Sequence, residues 1–208
     1  MKRNAFDFAH EVDQEIERLS VKEDLLHKGR GKLLLEELLP ISRLGIFFKL
    51  PGLKVEVEAF ENAGAVDGHI SIKGFRSDEF DVQVTYIHGY EESLRRELLV
   101  SQGTTPGAGL IFRDKRTKKI TAIMKGTDRE EQIDNLSGAI VERFRNKASK
   151  TYSTNTILLI AFDNVMFGGL NAWEDLLCAI QAKGGLGGHK FSRVFLFNSA
   201  HNELHRAA

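Results

Sequence analysis

Two hundred and eight residues, 42% of them apolar and 28% charged, with only three prolines, describe one soluble globular domain with enough chain to bury a core, and exclude a disordered tail or a disulfide miniprotein. The one cysteine, Cys178, can neither close an internal bridge nor build a thiolate metal site, so a reducing, cytoplasmic compartment is expected. Basic and acidic residues number 29 each, a balance that argues against a protein coating nucleic acid through bulk charge. No apolar run approaches the roughly 18 residues of a membrane span, and residues 1–17 mix charged with apolar side chains, unlike a signal peptide.

The first 50 residues read as helical: residues 5–26 and 32–50 carry apolar side chains at three- and four-residue spacing. Gly29, Arg30 and Gly31 separate the two helices, and Pro40 is expected to end or kink the second. From Pro51 the period becomes two. Residues 53–60, 65–72 and 80–86 predict a three-stranded antiparallel meander, with polar turn residues over 73–78. A short helix over 91–100 then leads into a Gly/Pro-rich loop at 103–109 and a hairpin of 109–113 with 119–124. A long helix follows over about 128–150, with Ile133, Leu136, Ile140, Val141 and Phe144 as its buried stripe. Residues 156–162 are continuously apolar, as expected of a strand covered on both faces. A helix over about 170–183 that packs Cys178 inward, a glycine loop, a strand over 193–197 and a frayed terminal segment close the chain. The expected fold is a single α/β domain with a mixed central sheet flanked by helices: the meander antiparallel, the C-terminal strands parallel.

Alternation places Asp81, Gln83 and Thr85 on one face of the third meander strand, and Asp67, His69 and Ser71 on one face of the second. Laid side by side, these rows bring Asp67 near Asp81 and Gln83. Paired carboxylates on neighbouring strands suit a hard ion such as Mg²⁺ or Mn²⁺, which activates water and neutralises charge on a phosphate. A sheet with one solvated face shows the same alternation, so the pattern leaves both readings open.

The order of elements, with Asp67 on the second strand and the triplet Asp81, Val82, Gln83 on the third, resembles the PD-(D/E)xK, restriction endonuclease-like nuclease superfamily. Glu36 and Glu37 stand where many members carry a helical acid. The resemblance covers residues 30–162, with 1–29 as a helical extension and 163–208 adding a helix and a strand to the sheet. It implies a metal-dependent deoxyribonuclease: Asp67 and Asp81 holding Mg²⁺ or Mn²⁺ with the Val82 carbonyl, Gln83 orienting water or phosphate, and Glu36 or Glu37 completing the shell. It also implies DNA as the partner, with a homodimer or an accessory protein open. Two departures stand out. No proline precedes Asp67, and Gln83 replaces the lysine, offering an amide dipole where the family brings positive charge. Gln83 fits equally an inactive nuclease-fold protein that binds nucleic acid or a protein partner.

The net charge hides an asymmetry. Residues 113–150 hold eleven basic and six acidic side chains, whereas residues 1–92 hold twelve and eighteen. Arg113, Lys115, Arg116, Lys118 and Lys119 sit at the predicted hairpin tip, and Arg143, Lys147 and Lys150 on one side of the long helix, where either set can meet a phosphate backbone. Solvated turns and helix C-termini favour the same charges without a ligand. Tyr86, His88 and Tyr90 follow the triplet and are candidates to stack on a base. His201 and His205 share helical spacing but lie in the segment expected to fray, and the glycines at 184–188 precede a strand, unlike a phosphate-binding loop.

Overall fold

A computed structural model describes residues 2–61, 65–106, 109–123, 128–165, 167–188 and 190–208. A two-residue strand, β1 (Arg3–Asn4), leads into α1 (Ala5–Glu17), which Asn4 caps by accepting the Phe6 N–H at 3.0 Å. The single helix expected over 5–26 is broken. At Ser20 a capping box with Glu23 starts α2 (Val21–Leu26), because each side chain satisfies the other residue's orphan N–H. His27 and Gly29, both at positive φ, turn the chain into α3 (Arg30–Leu33). Gly31 lets α3 pass close to α2: a Cβ there would stand 2.3 Å from the Glu23 carbonyl oxygen.

Pro40 neither ends nor interrupts the next helix as expected. A π-helical turn (Leu34–Leu38), in which the Leu39 N–H reaches back to the Leu34 carbonyl, precedes α4 (Leu39–Phe47) and leaves Pro40 in that helix's first turn. The helix runs on without a break, and the widened turn before Pro40 accommodates its missing N–H and makes room for the ring.

The antiparallel meander forms as β2 (Lys54–Ala59), β3 (Gly68–Lys73) and β4 (Asp78–Ile87). β3 begins three residues later than expected, so Asp67 sits just before it, its N–H donating to the Val82 carbonyl at 2.9 Å. Next come α5 (Tyr90–Gln102) and the hairpin β5 (Leu110–Arg113) and β6 (Ile120–Ile123), a separate two-stranded sheet whose Ile111 packs on Leu94 and Leu98 of α5. Met124, read with this hairpin, lies outside the described residues.

The remaining elements are α6 (Arg129–Ala148), β7 (Thr156–Phe162), α7 (Ala172–Ala182), β8 (Arg193–Asn198) and β9 (Glu203–Arg206). The main sheet has seven strands in the order β1-β2-β3-β4-β7-β8-β9. β4, β7 and β8 pair in parallel, joined by helical crossovers, and the other pairs are antiparallel. Two apolar layers sandwich it. Ile157, Leu159 and Ala161 of β7 join α1 and α4 on one face, while Leu158, Ile160 and Phe162 meet α6 and α7 on the other. This is a mixed-sheet α/β domain flanked by helices.

Two expectations at the C-terminal end are corrected. The terminal segment does not fray: β9 closes the sheet edge, with Leu204 on the core, His205 stacked on Trp173 at 4.0 Å and Glu203 accepting from the Trp173 indole N–H at 2.8 Å. Cys178 is exposed, since the buried stripe of α7 runs through Ala172, Leu176 and Ile180. Among the described residues no helix is long and apolar enough to cross a membrane.

Gly31→Ala tests the α2–α3 approach. Helix propensity alone would add about 1 kcal/mol, whereas overpacking against a backbone carbonyl costs about 1–3 kcal/mol. The expected outcome is a lower urea midpoint.

Candidate functional site

The first turn of chain before β3 creates the site. Antiparallel pairing stops at Gly68↔Val82, leaving the next β4 N–H on that side, Val84, without a strand partner. The Asp67 carboxylate takes the strand's place, accepting the Val84 N–H at 2.7 Å and the Gln83 side-chain amide on the same oxygen, Oδ2. The Gln83 amide also donates to the Val84 carbonyl at 3.1 Å. Gln83 is buried, so both of its donor contacts are fixed inside the protein. Asp67 and Gln83 thus meet directly, as the strand faces predicted.

Two further charged groups converge here. Burial, then the charge of Asp67, raises the pKa of the Glu37 carboxyl. Burial likewise raises Asp67, against the opposing effects of the Val84 N–H and the Lys147 ammonium. Lys147, in the last turn of α6, is half-buried; burial lowers its pKa, while Asp67 and Glu37 support its charge and Lys150 and Arg143 oppose it. Tyr152, just beyond α6, is raised by burial and next by the Asp67 charge. Two carboxyls and an amide from three segments thus lie within electrostatic reach of an ammonium from a fourth. Among the described residues no direct ion pair joins Lys147 to either carboxylate, and it acts on them at longer range.

The other residues read as one site have partners of their own. Asp81 shares the β4 row with Gln83 but is turned to other partners: it accepts from the Ser153 hydroxyl at 2.6 Å and faces His69 Nδ1 at 3.3 Å, directly across the ladder. The Val82 carbonyl is engaged by the Asp67 N–H. Glu36, adjacent to Glu37, points elsewhere, with one carboxylate oxygen 3.2 Å from His27 Nδ1 and the other 3.0 Å from His88 Nε2. Burial pushes the Glu36 carboxyl up, but hydrogen bonds from both histidines outweigh it and hold the pKa at about 2.

Arg113 is tied to Glu97 and to the Lys118 carbonyl, so only Lys115, Arg116, Lys118 and Lys119 stand exposed at the hairpin turn, which Asp114 braces through the N–H groups of Arg116 and Thr117. Arg143 is exposed on α6. Tyr86, a stacking candidate, is buried with its hydroxyl 3.1 Å from Ser199 Oγ, and the side chain of Tyr90 lies outside the described residues. Sequence reasoning took Lys147 for a phosphate contact only and missed His27 and Tyr152. None of the three carries a local signal, because each reaches its partners through long-range packing.

Burial pushes the Tyr86 phenol up to about 12 from 10.0. A raised folded-state pKa stabilises fully below the unfolded value, so stability falls as pH rises from about 10 to about 12, by on the order of 2–3 kcal/mol. Urea titrations across that range check it: Tyr86→Phe loses about 1 kcal/mol at neutral pH with its hydrogen bond, and shows a flatter alkaline fall. No protein-family model, curated protein or solved structure matches the chain.

Proposed function

We propose that the protein is a divalent-metal-dependent nuclease of restriction endonuclease-like architecture that hydrolyses phosphodiester bonds in DNA. The observation that carries this reading is the direct hydrogen bond from Gln83 to Asp67, two of the residues that the resemblance singles out, with the Lys147 charge from α6 within electrostatic reach of Asp67 and Glu37 to offset the lysine that Gln83 replaces. The element order supports it: a helix with acids, an antiparallel meander, a crossover helix and a parallel buried strand.

The donor set fits a hard ion. Asp67 and Glu37 are both partly desolvated carboxyls, and Glu37 is raised by burial first and by the Asp67 charge second, a repulsion that Mg²⁺ or Mn²⁺ would relieve. When bound, such an ion supplies Lewis acidity at a phosphoryl oxygen. Gln83 and the Val84 N–H hold Asp67 Oδ2 in place; Asp67 and Glu37 would be the groups to hold the ion, and the Lys147 charge would favour a phosphate nearby. Asp81, tied to His69 and Ser153, braces the base of β4.

One observation favours the non-cutting alternative: two hydrogen bonds already occupy Asp67 Oδ2, which weakens it as an ion ligand.

Single-stranded, double-stranded and circular DNA incubated with Mg²⁺ or Mn²⁺ separates the readings. Cleavage is expected from the wild type, background levels from Asp67→Ala, and a loss of about 10²–10³-fold from Lys147→Ala, the usual cost of one electrostatic group at a reacting centre. If Asp81→Ala abolishes cleavage while Lys147→Ala spares it, the strand pair Asp67 and Asp81 is the working site instead. Salt-sensitive DNA binding without cleavage supports the inactive nuclease fold.

A further inference from the structure

The π-helical turn sends Glu36 and Glu37 to different places, and Glu36 is the more deeply buried of the two. Its side chain, 7% exposed, lies between His27, which follows α2, and His88, which follows the C-terminal end of β4. The three ligand atoms lie within 4.8 Å of one another. Tyr86 holds both rings, edge-on to His27 at 5.5 Å and tilted against His88 at 4.8 Å.

Around a tetrahedral ion with bonds of roughly 2.0–2.1 Å, ligand atoms stand about 3.3 Å apart. Here His27 Nδ1 and His88 Nε2 lie 3.2 and 3.0 Å from different oxygens of the Glu36 carboxylate, and the three ligand atoms spread over up to 4.8 Å. An ion replacing both hydrogen bonds would draw the rings inward, a movement open to the His88 side chain, which is 43% exposed. Two imidazoles and one carboxylate suit a borderline ion better than Mg²⁺, which prefers oxygen. All three residues line a cleft of about 880 Å³ whose walls mix cations with acids, Arg95 and Arg96 being paired with Glu91, Glu92 and Asp163. The opening onto this cleft would let water or a ligand oxygen complete the coordination of an ion.

We propose that His27, Glu36 and His88 form a binding site for a Zn²⁺-type divalent ion in this cleft, separate from the Asp67 group. It does not depend on nuclease activity at Asp67, and either can fail alone.

The full chain, stripped with chelator, is titrated with Zn²⁺ by calorimetry and with Co²⁺ by visible absorption. The expected result is one equivalent of Zn²⁺ with a Kd of about 1 μM or tighter, and Co²⁺ bands that Zn²⁺ displaces. Glu36→Gln and His88→Ala each weaken binding by more than the roughly 10–100-fold that loss of an outer-shell partner costs, while Asp67→Ala leaves it unchanged. Absence of tight binding, equal affinity in His88→Ala, or loss of binding in Asp67→Ala alone overturns the proposal. Circular dichroism confirms that each variant is folded. Because His88 is exposed, His88→Asn provides a second variant with a side chain of similar polarity.

Discussion

The parallel pairing of β4 with β7 is the constraint on which the rest of the structure depends. Seven residue pairs, from Asp81↔Thr156 to Ile87↔Phe162, join the antiparallel meander to the parallel C-terminal half, and every residue of β7 is buried. A strand covered on both faces requires apolar layers above and below it, so α1 and α4 close one side and α6 and α7 the other. Each large apolar side chain buried there contributes roughly 1.5–3 kcal/mol, against about 0–1 kcal/mol for an exposed ion pair such as Arg129 with Asp175. The sheet, more than the surface charge network, therefore holds the fold.

That constraint also places the polar chemistry. β4 turns Phe80, Val82, Val84 and Tyr86 into the α1/α4 layer, which leaves Asp81, Gln83 and Thr85 on the face toward α6. Its backbone needs a partner at Val84, where β3 has not begun, and Asp67 supplies one. At its far end β4 delivers His88 to the cleft beside Glu36. The π-helical turn does the complementary work. Admitting Pro40 into the helix by widening the turn before it also fixes two consecutive glutamates in different surroundings, one beside Asp67 and one between two histidines.

The zero net charge takes on a different meaning once the chain is folded. Acidic residues concentrated in the first 92 positions include Glu36, Glu37 and Asp67, whose negative charge gathers at two interior clusters. The basic excess after residue 113 lies on the β5–β6 turn and at the C-terminal end of α6. The balance therefore describes acidic pockets beside basic surfaces and not a uniformly neutral one. A bound cation in either cluster would remove the local penalty those carboxylates carry.

Much of the fold was legible because hydrophobic period is local information. Alternation located β2 and β4, the continuous apolar run located β7, and the stripe from Leu136 to Phe144 located α6. The juxtaposition of Asp67 with Gln83 was readable in part: alternation placed both on facing rows, but the contact itself forms where the β3 ladder stops one residue short of Asp67. What escaped was set by packing. The break at Ser20, the helix running on through Pro40, the pairing of β9 and the exposure of Cys178 depend on neighbours remote in sequence. So do the arrival of Lys147 beside Asp67 and the meeting of His27 with His88 across Glu36. The sequence by itself determined which residues alternate, and hence which polar side chains share a sheet face. Only the tertiary structure decided which of them meet, because those contacts are made by crossovers and helix packing that no local pattern encodes.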